Sequence, residues 1–225
     1  MKKIIVINDV KHQYYQEHKK SLLLVYPGVG YTSDKPLLYY GIQCALQHDY
    51  DVCIFGYGDI VFDKTNPLDY VMRAMRQVEA MKAHLNFSQY DHVVCLAKSI
   101  GTVIAYQTTQ DIPCRYFMLT PLKEVLMFQP SNHDIFICGD RDPLVPQVHL
   151  DLLKESKAKL MMMKGNHSLE TGKVLADIIQ LQMIMNLFSE FIVKSELNKK
   201  HSCECFIYLW QGQRGSNSHL RFWRP

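Results

Sequence analysis

Hydrophobic positions along this chain come in short unbroken runs, separated by longer stretches in which they recur every three or four residues. Ile4–Ile7 and Ser21–Tyr26 (SLLLVY) are the first runs. Val52–Phe55, His92–Leu96, Tyr116–Leu119, Ile135–Cys138 and Lys159–Met162 follow. Short runs rich in β-branched and aromatic residues predict strands, and continuously apolar ones predict strands covered on both faces. Between them, Asp34–Gln47, Pro67–Leu85, Ile100–Gln110, Pro146–Glu155 and Leu169–Phe191 carry helical spacing. In the second of these, Val71, Met75, Val78 and Met81 fall on one face. Pro36 fits the first turn of its helix, where a missing N–H leaves no bond unmade. A short segment, Pro121–Phe128, separates two of the strands. Repeated strand-then-helix predicts an α/β fold: a mostly parallel central sheet flanked by helices on both faces. No internal repeat or low-complexity linker interrupts it, so one domain is expected over residues 1–195.

Composition narrows this picture. The 225 residues suffice for one sizeable core and are too few for two ordinary domains. A hydrophobic share of 48% and a charged share of 21% are those of a globular protein. The net charge of +3 resides entirely in residues 196–225, where Lys199, Lys200, Arg214, Arg221 and Arg224 face only Glu196 and Glu204. The body is neutral, which gives no electrostatic footprint for nucleic acid or an anionic membrane. Ile4–Ile7 is too short for the apolar region of a signal peptide, and no stretch is expected to reach the ~20 apolar residues of a membrane span. The seven cysteines are odd in number, and Cys53, Cys95 and Cys138 sit inside apolar runs. That favours buried thiols in a reducing compartment, hence a cytoplasmic location, over a disulfide framework. The tail 196–225 holds both tryptophans and no hydrophobic period, and is expected to lie outside the core and be poorly ordered. His201, Cys203 and Cys205 within it lack a fourth ligand at zinc spacing, so no metal is expected.

The chemistry centres on His92–Gly101 (HVVCLAKSIG), a buried strand running into small-x-Ser-x-Gly and then a helix. A nucleophile elbow requires this pattern, because its turn is so tight that the residues two before and two after the serine must be small. Alone, the motif also fits a serine that merely caps a helix. A phosphate-binding loop is excluded, since Ala97 and His92 stand where that loop needs glycines. Two further segments fall where the elbow needs them. Ile135–Val145 is a strand ending in Gly139-Asp140-Arg141-Asp142-Pro143, and Leu160–Met163 leads into Lys164-Gly165-Asn166-His167-Ser168. The resulting order is Ser99, Asp142, His167, each just past the C-terminal end of a different strand, where open parallel sheets place their sites. Asp140 competes with Asp142 for the acid role; the extended bias of a residue before proline favours Asp142. His133 lies at the wrong end of its strand and His149 within a helix, so both read as structural histidines.

Pro27-Gly28-Val29-Gly30 follows an earlier strand, and its glycines allow the backbone to approach a bound substrate. It is equally the composition of a plain turn. Val29 N–H is the candidate partner for the Ile100 N–H of the elbow in stabilising an oxyanion. Tyr31 and Tyr57 follow strand ends and are candidates to line an acyl pocket. Lys98, beside the serine, either tunes substrate charge or points into solvent. Met161–Met163 read as adaptable core filler.

With these motifs in place, the chain resembles the α/β-hydrolase superfamily, and within it the small single-domain serine hydrolases of esterase or lipase type. The resemblance runs from about Ser21 to about Phe191. It is carried by Pro-Gly-Val-Gly at 27–30, Ala-Lys-Ser-Ile-Gly at 97–101, Gly-Asp-Arg-Asp-Pro at 139–143 and Gly-Asn-His-Ser at 165–168. Ala97 replaces the usual first glycine of the elbow, and Pro27 replaces a histidine often found there. The resemblance implies the α/β-hydrolase fold without a lid, since only residues 120–134 separate the strands between which larger members insert one. It implies that Ser99 attacks an acyl carbonyl, His167 transfers the proton, Asp142 orients His167, and Val29 with Ile100 binds the oxyanion. The expected reaction is hydrolysis of a carboxylic ester or thioester, on a small-molecule acyl substrate and without a cofactor. An amide or peptide hydrolase, or a binding protein that keeps the fold, are the alternatives.

Overall fold

Residues 2–197 are described by the computed structural model, and their strands join in a single sheet. In chain order these are β1 (Lys2–Ile7), β2 (Val10–Tyr15), β3 (Ser21–Tyr26), β4 (Tyr50–Ile54), β5 (His92–Lys98), β6 (Cys114–Leu119), β7 (Ile135–Gly139) and β8 (Lys159–Met163). Across the sheet they lie in the order β1-β2-β4-β3-β5-β6-β7-β8. From β4 to β8 the pairing is parallel throughout, whereas β1 and β2 are antiparallel additions at one edge. The helices are α1 (Pro36–Gln47), α2 (Pro67–Lys82), α3 (Ile100–Thr108), α4 (Gln147–Glu155) and α5 (Val174–Leu197).

Alternation along the central strands divides the core in two. Leu22, Leu24 and Tyr26 of β3 and Cys95 and Ala97 of β5 face Tyr70, Ala74 and Val78 of α2 and Ile104 of α3. Leu23, Val25, Val94 and Leu96 face Leu38 and Ile42 of α1 and Ile184, Phe188 and Ile192 of α5. Both faces of β3 are buried, which is why its sequence reads as an unbroken apolar run.

Three expectations are corrected. Val10–Tyr15 is a strand, joined to β1 by a two-residue turn in which Asn8 and Asp9 have φ of 50° and 61°. Both central residues at positive φ match the twist of a hairpin, and Asn and Asp tolerate that conformation. The last helix begins at Val174 rather than Leu169, because Leu169 (φ 60°) and Gly172 (φ 83°) break the helical path. Finally, Val174–Val193 of α5, with a mean hydropathy of 1.3, is long and apolar enough to cross a membrane by length and composition. Its Ile184, Phe188 and Ile192 are fully buried against the sheet. Helix α5 extends to Leu197; residues 198–225, most of the expected tail, lie outside the described residues.

Helix α3 starts unusually close to the end of β3. A Cβ on Gly101 would stand 2.4 Å from the Tyr26 carbonyl oxygen and 2.5 Å from that of Pro27. Gly101→Ala must push these backbones apart and is expected to destabilise the protein by about 1–3 kcal/mol. In the other layer, Phe188 is fully buried with its ring edge-on to Phe117 at 5.0 Å between centroids. Phe188→Ala should cost about 3–5 kcal/mol. Both losses are read from urea unfolding midpoints.

Candidate active site

Ser99 sits between β5 and α3 with φ 55° and ψ −124°, a conformation that L-residues adopt only under constraint. Its N–H donates to the Leu119 carbonyl at 3.0 Å, and its own carbonyl accepts from Thr102 N–H at 2.9 Å and Thr102 Oγ1 at 2.6 Å. These bonds fix the turn, and the turn lifts the serine side chain above the C-terminal edge of the sheet.

The loops after β7 and β8 complete the arrangement. His167 Nε2 lies 2.7 Å from Ser99 Oγ, and His167 Nδ1 lies 2.7 Å from Asp142 Oδ2. An ionised carboxylate only accepts hydrogen bonds, so Nδ1 carries the proton and Nε2 is left to accept from the serine hydroxyl. The Asp142 side chain is fully buried, while that of His167 is 23% exposed. A buried acid thus faces an imidazole that solvent and ligands can reach. The other oxygen of Asp142 accepts the Leu144 N–H at 2.9 Å, which fixes the carboxylate plane.

Asp140 and Asp142 face different partners, and only Asp142 bonds the His167 ring. Asp140 turns to the main chain of the histidine loop, accepting from Gly165 N–H at 2.9 Å and from Lys164 Nζ at 2.7 Å. Burial raises its proton affinity, but these donors outweigh burial and hold the carboxyl below the ordinary range. The loop has further supports. Asn166 Oδ1 accepts from Ser168 N–H and Glu170 N–H, and Gln180 of α5 donates to the carbonyls of Lys164 and Leu169. Neither His133 nor His149 is bonded to Ser99 or Asp142; His133 N–H donates to Ser131 Oγ.

Gly28-Val29-Gly30-Tyr31 forms a tight turn closed by two backbone bonds between Gly28 and Tyr31. A Cβ on Gly28 would lie 3.1 Å from the Lys98 carbonyl oxygen and 3.2 Å from Ser99 Cβ, so this loop lies directly against the elbow. Val29 is exposed at its tip. Ile100 is the first residue of α3, and the N–H groups of a helix's first turn have no partner within the helix.

Of the three remaining candidates, Tyr57 and Lys98 are placed otherwise than the sequence suggested. Tyr57 is buried under the site and its hydroxyl donates to the Pro27 carbonyl at 3.2 Å, bracing the loop from below. Lys98 is turned inward and is 1% exposed. Its Nζ donates to Thr120 Oγ1 at 2.5 Å and to the His167 carbonyl at 2.6 Å, beneath the Tyr31 ring. Burial pulls its amine down to about 7, against the upward pull of Asp142, Cys138 and Glu170. Sequence reasoning missed the Thr120 contact; a lysine closing an otherwise apolar strand was the available signal. Tyr31 lines a cleft of about 230 Å³ beside the histidine loop, together with Leu37, Leu169, Val174, Ile178 and Leu181. A larger cleft of about 300 Å³ lies near the opposite end of β5, around Phe87, Tyr90 and Val93, away from these groups. Among the described residues, no cluster of three His, Cys, Asp or Glu side chains is arranged to hold a metal ion.

No protein-family model matches the chain, and no curated protein matches it in sequence. Solved structures do match in shape. An α/β serine hydrolase without a lid from Xanthomonas campestris superposes with a TM-score of 0.65 at 13% identity, covering 86% of this chain and 94% of its own. An esterase from Pyrococcus furiosus gives 0.64 at 13% identity, covering 86% and 92%. A putative α/β hydrolase from Agrobacterium tumefaciens gives 0.63 at 15% identity, covering 91% and 100%. In each, the parallel sheet and its flanking helices are the shared feature, and this chain has the lidless α/β-hydrolase fold.

Proposed function

We propose that this protein is a serine hydrolase that cleaves a carboxylic ester or thioester through an acyl-enzyme. The observation that carries the proposal is the unbroken chain of two 2.7 Å contacts from Ser99 Oγ through His167 to Asp142 Oδ2. Ser99 Oγ attacks the acyl carbonyl as His167 Nε2 takes its proton. The tetrahedral oxyanion is met by the N–H groups of Val29 and Ile100. His167 then returns the proton to the departing alcohol or thiol, leaving Ser99 acylated. Water, deprotonated by the same imidazole, attacks the acyl group and releases the acid and the free serine. Asp142 keeps the imidazole in the tautomer that each step needs and stabilises it when protonated. The esterases and serine hydrolases among the solved neighbours support hydrolase chemistry on this fold.

The substrate we infer is a small molecule. The cleft beside His167, lined by Tyr31 and aliphatic side chains, suits an apolar substituent of it. The free thiols of Cys53, Cys95 and Cys138 support a reducing compartment such as the cytoplasm.

A fluorophosphonate probe is expected to label the wild-type protein once, at Ser99, and not to label Ser99→Ala or His167→Ala. The wild type should also turn over short nitrophenyl esters. Absence of both labelling and turnover would refute the proposal. Asp142→Asn should reduce kcat by roughly 10³–10⁴-fold, because the amide favours the wrong tautomer. Asp140→Asn, which loses only part of a loop brace, should reduce it much less. Steady-state kinetics of the two variants separate these outcomes.

A further inference from the structure

A buried ammonium is tolerated only where hydrogen bonds replace its lost hydration. Lys98 meets this condition in a particular way, since its partners come from separate loops at the C-terminal edge of the sheet. Thr120 follows β6, His167 follows β8, and the Tyr31 ring, 5.1 Å from Nζ, belongs to the loop after β3. The contact to His167 is with its main-chain carbonyl, while the His167 ring is held by Asp142. The histidine is therefore gripped at two points, one on the ring and one on the backbone.

We infer that Lys98 is a positioning residue for acyl transfer, tying the His167 main chain to the end of β6 through Thr120 and so setting the reach of the imidazole to Ser99 Oγ. This rests on the serine-hydrolase reading above. The tie acts on the orientation of the base, so its effect falls chiefly on kcat. A displacement of ~1 Å at such a group costs about 10²-fold in rate. The loop keeps its Asp140, Asn166 and Gln180 supports without Lys98, so removing the lysine leaves it assembled but less constrained.

The tie also depends on pH. The ionisable groups facing Lys98 are Asp142 and Cys138 on and after β7, Glu170 and His167 after β8, and the Tyr31 ring after β3. Below about 7 the amine is an ammonium and its bonds to Thr120 and His167 are charge-assisted. Above it they become weaker neutral bonds. The wild-type kcat should therefore carry a decline as the pH rises through about 7 and the ammonium is lost.

The test is steady-state ester hydrolysis, together with the rate of fluorophosphonate labelling, in wild type, Lys98→Met and Thr120→Val. Lys98→Met is expected to lower kcat by about 10–100-fold, with KM within about twofold of wild type and the decline through pH about 7 lost. Its melting temperature should stay near that of wild type, since losing a buried charge offsets the hydrogen bonds lost from Thr120 and the His167 carbonyl. Thr120→Val should lower kcat less, again without raising KM. An unchanged kcat in Lys98→Met, a loss expressed in KM, or a kcat loss matched by a fall in melting temperature would overturn the inference. Should Lys98→Met fail to fold, Thr120→Val decides, and an unchanged kcat there overturns it. A wild type that neither labels nor turns over removes the serine-hydrolase reading and this inference with it. A labelled wild type whose Lys98→Met variant labels equally fast removes this inference alone.

Discussion

A single non-glycine residue held at positive φ organises this molecule. Ser99 must leave a buried strand and enter a helix within one residue, and its backbone conformation costs about 1–3 kcal/mol relative to an ordinary one. That cost is borne by its surroundings. Leu119 and Thr102 bond the Ser99 backbone on both sides, and the missing side chain of Gly101 lets α3 close onto the carbonyls of Tyr26 and Pro27. Loosening any of these contacts lets the turn relax, and the hydroxyl no longer stands where His167 can reach it. The elbow is therefore a property of β3, β5, β6 and α3 together.

Parallel pairing then does the assembling. Because β3 and β5–β8 all run the same way, the loops after them emerge at one edge. The β3 loop brings Val29 and Tyr31, the β7 loop brings Asp142, and the β8 loop brings His167. The β6 loop brings no group to the serine itself, yet Thr120 links it to the histidine through Lys98. A buried amine below the site ties together loops that are far apart in sequence. Only residues 120–134 lie between β6 and β7, and a cleft beside the histidine loop lies against α5.

What the sequence made legible follows from the same physics. Strands buried on both faces appear as unbroken apolar runs, so β3 and β5 were readable directly, as was the elbow, whose small residues are demanded by sterics. Val10–Tyr15 was hidden because its buried positions are Val10, His12 and Tyr14, a period-two pattern in which one member is a histidine. The start of α5 was misread because the apolar Leu169 continues the helical pattern while its backbone belongs to the histidine loop. Lys98 and Tyr57 were misread for a common reason. Polar side chains near a site invite a ligand-facing reading, whereas both turn inward and hold backbone carbonyls. Side-chain direction is set by what the neighbouring loops leave unsatisfied, and a linear sequence does not carry that information.

Asp140 and Asp142 show how two acids on one loop come to hold different parts of the same neighbour. Both leave the same strand, two residues apart, and both serve the same histidine loop. Asp140 binds that loop by its backbone at Gly165, while Asp142, aligned by the Leu144 N–H, binds it by the His167 ring. Asp142 is also the more deeply buried of the two, so its negative charge acts on the imidazole through a medium that screens it poorly. Asp140 remains partly solvated and spends its charge on an exposed lysine. Composition and spacing treat the two alike. Burial and the direction of one backbone N–H distinguish them, and these are consequences of how closely β7 and β8 bring their loops together.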